Sequence, residues 1–233
     1  MAKIPLSIGE NYVSDWGKWE GVRDFAQNVR DAVAMLGCEQ KFHHDGKLTL
    51  TMTSIGASID ASKLLLGEST KRGDSRAAGE YGEGLKLAMK ALVCADVDVK
   101  IRTGSEVWTP SFEESDLFCG KKVLVVQTRK VPFKNVVEVT LVGITKAEWA
   151  EFGQRLLFVT PPDPKDVEET EYGRVLFAAE HKGKLFVHGI YVKHVQDMTF
   201  GYDLSNLKVD RDRRMADIWD IRTQTTAAFL GAV

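Results

Sequence analysis

GEYGEG, residues 79–84, runs directly into LKLAMKALVCA at 85–95, and the reading of that junction decides the fold. The second piece carries apolar residues at helical spacing, so the glycines stand at a helix N-terminus. A dinucleotide-binding turn is spaced G-x-G-x-x-G and follows a strand, whereas here the spacing is G-x-x-G-x-G and the preceding stretch, 68–78, is polar, charged and loop-like. The junction therefore offers a run of backbone N–H groups with no side chains in the way, a ready site for phosphate oxygens. The alternative at this point is tight packing of a loop against a sheet.

Upstream, Trp16 to Leu36 repeats apolar residues at helical spacing, with Ser14 or Asp15 as the expected cap and Gly37 as the expected stop. Lys47 to Ser54, KLTLTMTS, alternates and reads as a half-buried strand. Downstream the period changes to two. Strands are expected at 97–102, 106–112, 123–128 and 136–142, mostly antiparallel because their connections are short. A helix is expected over Thr145 to Leu157, an extended proline-rich break at TPPDPKD, strands at 174–179 and 185–192, and a helix over Met215 to Leu230. Two helices followed by a meander define an α+β sandwich with helices on one face of a mixed, mostly antiparallel sheet. The division expected is a core over 1–160 and an extension of the same domain over 161–233.

The 233 residues are 44% apolar and 27% charged, the balance of an ordinary globular chain, with no run long enough for a membrane span and no secretory layout at the N-terminus. The three cysteines, Cys38, Cys94 and Cys119, lack CxxC spacing, so neither a disulfide framework nor a zinc site is expected, and a reducing cytoplasm is. A net charge of -2 gives no global argument for nucleic-acid binding.

DFAQNVRDA in the first helix puts Asp24, Asn28 and Asp31 at i, i+4 and i+7, on one face. A carboxylate and a carboxamide one turn apart suit a water and a magnesium ion over a phosphate, because magnesium takes oxygen ligands and keeps several waters. The competing reading is a solvated helix face. His43 and His44 are adjacent and would point to opposite faces of a strand, so they are not expected to converge on a metal. His188 and His194 read as sheet histidines.

Together these pieces resemble the GHKL ATP-binding superfamily, which includes the DNA gyrase B subunit, the ninety-kilodalton heat-shock chaperone, MutL and the sensor histidine kinases. Its N-box, E-x-x-x-N-x-x-D-A, is matched by Asp24, Asn28, Asp31 and Ala32, and its second glycine box by Gly79, Gly82 and Gly84. The resemblance spans about residues 10–145. WGKWEGVRDFAQNVRDA and LLLGESTKRGDSRAAGEYGEGLKLA look especially like stand-alone proteins of this kind from bacteriophages and bacteria. It implies a Bergerat-type fold, ATP and magnesium as ligands, Asn28 on the metal, and Asp24 orienting the attacking water. It further implies phosphates held by the backbone from Gly79 through Tyr81, Gly82, Glu83 and Gly84 to Leu85, with Lys86 and the lid cations Lys71, Arg72 and Arg76 as phosphate partners. Asp31 completes the N-box, and Arg211 or Arg213 is a candidate γ-phosphate sensor.

The chain departs from the family at three places. SIGAS, 54–58, stands where the family has D-x-G-x-G, so Ser54 replaces the adenine-binding aspartate while Gly56 is kept. A neutral acceptor there forfeits about 1 kcal/mol against a charge-assisted one. Asp24 is one methylene shorter than the family's glutamate. Asn135 aligns with the threonine beside the adenine. The expectation is Mg-dependent ATP binding with slow hydrolysis, lid closure coupled to a protein partner or homodimer, and no membrane partner. The alternative is a non-hydrolysing nucleotide-gated interaction or inhibitor protein of the same fold.

Overall fold

A computed structural model describes residues 2–64, 83–205, 207–209 and 217–232. The chain divides into two compact units, Met1–Phe152 and Gly153–Val233.

The first unit is built on two long strands, β4 (Asp98–Ser115) and β5 (Lys121–Val142), paired antiparallel along their length. Each is continuous where two separate strands are expected from the sequence. In β4 the join is a register shift at Gly104, whose φ of +51° is the left-handed region that favours glycine. The other edge of β5 is shared: β1 (Ala2–Gly9) pairs with its first half and β3 (Thr49–Ile55) with its second, and β2 (Glu39–His44) pairs outside β3. Neither β1 nor β2 is among the strands expected from the sequence. β3 begins and ends later than the predicted strand, and all these pairings are antiparallel.

Two helices cover this sheet. α1 (Lys18–Leu36) packs on β2 and β3, α2 (Gly84–Cys94) packs on β4, and the helices pack on each other, so both lie on one face. The start of α1 differs from expectation. Its N-cap is Gly17, whose N–H is bonded at 2.9 Å by the Glu20 side chain, in place of a Ser14 or Asp15 cap. Its end is as read: Gly37 adopts φ +67°, its N–H donates to the Val33 carbonyl at 3.0 Å, and the next N–H, of Cys38, donates to the Ala32 carbonyl at 3.5 Å. Gly21 explains how closely the helices approach, since a Cβ there would lie 2.5 Å from Leu92 Cγ. Leu50 and Met52 of β3, Ile101 of β4 and Leu141 of β5 form the sheet side of the core with Val22, Phe25 and Ala26 of α1 and Leu87, Ala88 and Leu92 of α2. α3 (Lys146–Gly153) is shorter than the predicted helix.

The second unit is a five-stranded mixed sheet in the order β6 (Val167–Thr170), β7 (Gly173–Leu176), β10 (Gly201–Leu204), β8 (Lys184–Val187), β9 (Ile190–His194), with only the β10–β8 pair parallel. The single strand expected over 185–192 is a hairpin. His188 and Gly189 both take positive φ, 53° and 76°, which makes the two-residue turn. α4 (Ile218–Gly231), capped by Asp217, packs on β7 and β10 and contributes Ile221 and Ala228 to a core of Val175, Leu185, Val187 and Leu204. Asp203, buried in β10, accepts from Arg174 and from the Gly189 N–H at 2.7 Å, which ties the hairpin turn to the sheet.

Candidate nucleotide site

Asp24 and Asp31 are buried on α1, and Asn28 between them is half-buried, so the bland reading of a solvated helix face does not hold. Arg30 Nη1 lies 3.2 Å from Asp31 Oδ1. The Asp24 carboxylate is engaged on one side by Arg23, whose Nε donates to Oδ1 at 2.9 Å. Its other oxygen faces the start of α2: a Cβ on Gly84 would lie 3.1 Å from Asp24 Oδ2. The Asp24 carboxylate and the first residue of α2 are thus brought together, and a glycine at 84 is what leaves room for it.

α2 begins at Gly84 with Glu83 as N-cap, and the Glu83 carbonyl accepts from the N–H groups of Lys86 and Leu87 at 2.9 and 3.0 Å. Glu83 makes no side-chain cap. The amides of Gly84 and Leu85 precede the first intrahelical bonds, and such amides carry the positive end of the helix dipole. Lys86 is fully buried, and its Nζ donates at 3.0 Å to the carbonyl of Lys63, in the single turn Ala61–Leu64. Lys71, Arg72, Arg76, Gly79, Tyr81, Gly82, Arg211 and Arg213 lie outside the described residues.

On the sheet, Ser54, Val137 and Thr103 form one row across β3, β5 and β4, all buried. Thr103 Oγ1 accepts from Ile59 N at 2.6 Å and donates to Ile59 O at 3.0 Å, so the loop after β3 is drawn over that row. Gly56 starts this loop at φ +96° and donates its N–H to the Asn135 carbonyl at 2.9 Å. Asn135 contributes that carbonyl while its residue is exposed, and the cross-strand neighbour of Ser54 is Val137, two residues further on. Val137 and Thr103 were missed by the sequence analysis because they are defined by strand register. Arg23 was missed because an arginine beside a helix carboxylate ordinarily points to solvent.

The oxygen donors Asp24, Asn28 and Asp31 suit magnesium in kind. Among the described residues no group of three or more His, Cys, Asp or Glu side chains gathers as a metal site. His44 Nε2 lies 2.8 Å from the Ile144 carbonyl, an ordinary strand-edge contact. Among the described residues no helix is long and apolar enough to cross a membrane.

No protein-family model and no curated protein matches the sequence. Among solved structures, the B subunit of the DNA gyrase from Myxococcus xanthus is similar at 9% identity and a TM-score of 0.38, over 89% of this chain and 87% of that one. A likeness that distant leaves the functional reading to the residues of this chain.

Proposed function

We propose that the first unit binds Mg·ATP in the manner of the GHKL superfamily, hydrolyses it slowly, and couples nucleotide occupancy to a change of partner or homodimer state in a bacterial or phage-infected cytoplasm. The observation that carries the reading is the Asp24 carboxylate turned toward the first residue of the glycine helix. Phosphates at the α2 N-terminus would lie beside that carboxylate, and a water between them would be within reach of a base. Asn28 would hold the magnesium ion, which would supply positive charge to offset that of the phosphates. Gly84 and Leu85 supply N–H groups for the charge that builds on the phosphates, and Ser54 offers its hydroxyl to the base.

The reading is tested by phosphate release from Mg·ATP with the wild type and Asp24→Asn. Asn keeps the shape and an acceptor for Arg23 but cannot take a proton. The expected result is slow release by the wild type, background release by the variant, and retention in both of the rise in melting temperature with ATP. A second reading, the non-hydrolysing interaction or inhibitor module, is favoured by the short Asp24 side chain. Background release from the wild type together with an ATP-induced rise in melting temperature selects it. No rise with ATP, ADP or GTP at millimolar levels sinks nucleotide binding altogether.

A further inference from the structure

Arg23 and Asp24 are consecutive on α1, about 100° apart around the helix, yet both are buried and bonded to each other. The guanidinium lies over the Trp16 ring, with Cζ 5.1 Å from the ring centroid. Trp16 is itself packed against Leu87 and Ala91 of α2. The contacts therefore close a circuit. α2 fixes the indole, the indole supports the guanidinium, Nε holds Asp24 Oδ1 at 2.9 Å, and Asp24 Oδ2 comes back to Gly84, where α2 begins.

We infer that Arg23 is a positioning residue, which refers the Asp24 carboxylate to the helix that would carry the phosphates. This rests on the nucleotide reading above for its catalytic consequence, though the brace itself does not. A simple neutralising ion pair would be served by any geometry. Here Nε donates to Oδ1 while Oδ2 is the oxygen that lies toward Gly84, so the bond fixes the orientation in which the carboxylate meets the start of α2. Aim matters because Asp24 is a short base. It cannot swing on an extra methylene to find a water, and an error of about 1 Å in such a group can cost roughly a hundredfold in rate.

The experiment compares the wild type with Arg23→Gln, which loses the cation, and Arg23→Lys, which keeps a cation over the indole. The expected result for Arg23→Gln is a fall in kcat of roughly tenfold or more, with KM for Mg·ATP changed by less than about twofold. Arg23→Lys should recover part of the loss. Unchanged or faster turnover in Arg23→Gln overturns the inference, as does a loss confined to KM and melting temperature, the signature of a structural role. Should the wild type release no phosphate, the ATPase reading has failed and the brace is decided by NMR. The Arg23 Nε–H cross-peak is expected to exchange slowly at neutral pH and to move in Asp24→Asn. Exchange as fast as that of exposed arginines overturns the brace.

Discussion

Lys90 is a lysine with 1% of its surface exposed, one turn along α2 from the equally buried Lys86. Its hydrogen bond among the described residues is to the carbonyl of Val13, at 3.4 Å, from an ammonium that carries three donors. Burying a charge with so little return is costly, and replacing buried ionic groups by apolar ones of similar volume is commonly neutral or stabilising. Lys90→Met is therefore expected to raise stability by about 1 kcal/mol or more, read as a rise in melting temperature of a few degrees. A fall would show that the bond to the N-terminal turn outweighs the burial. Val13 itself sits at φ 45°, an uncommon conformation for a β-branched residue, so the carbonyl it offers is presented by a backbone held in place by its surroundings.

At the level of elements, the crossing of α1 over α2 sets the distance between the Asp24 carboxylate and the glycine helix. Gly21 makes that crossing possible. Gly21→Ala would drive a Cβ to 2.5 Å from Leu92 Cγ, and Leu92 is fully buried, so the helices must part or the leucine must leave its rotamer. The expected cost is about 1–3 kcal/mol despite the better helix propensity of alanine, measured by urea unfolding. A gain in stability would show that the contact relaxes freely. The same elements explain what could be read beforehand. α1 and α2 announce themselves by apolar period, and Asp24, Asn28 and Gly84 follow from that period because a helix fixes which residues share a face. β1 hides because Pro5 and its short apolar stretch resemble a disordered start, and only the free edge of β5 gives it a partner. The β8–β9 turn hides because His188 takes a positive φ that its sequence does not advertise. The Ser54–Val137–Thr103 row depends on pairing between distant segments, which a local pattern does not encode. Arg23 depends on a tertiary contact with Trp16.

For the molecule as a whole, a response to mild acid, above the range where the first unit's carboxylates titrate, is expected in the second unit. His181 there is buried, its Nδ1 has no hydrogen-bond partner among the described residues, and it packs edge-on against Phe186. Burial pushes its pKa below the ordinary 6.5, opposed by the charge of Glu180 and aided by that of Lys184. The sign follows from proton uptake. Between the folded and unfolded values the unfolded chain binds more protons, so stability is full above 6.5 and is lost as pH falls through the lower, folded value. Calorimetry at pH 7.5 and 5.5 should show a lower melting temperature at the acid end for the wild type and a smaller drop for His181→Gln, which stays neutral across that range. Mg·ATP provides the contrasting lever. Held at about a hundred times its Kd, a ligand adds about 2.7 kcal/mol to the state that binds it. Under the proposed function that gain belongs to α1 and α2 and should be kept in His181→Gln, because the residue replaced lies in the other unit. Loss of the ATP response on replacing His181, or an acid drop of equal size in the variant, would refute this separation of the two effects.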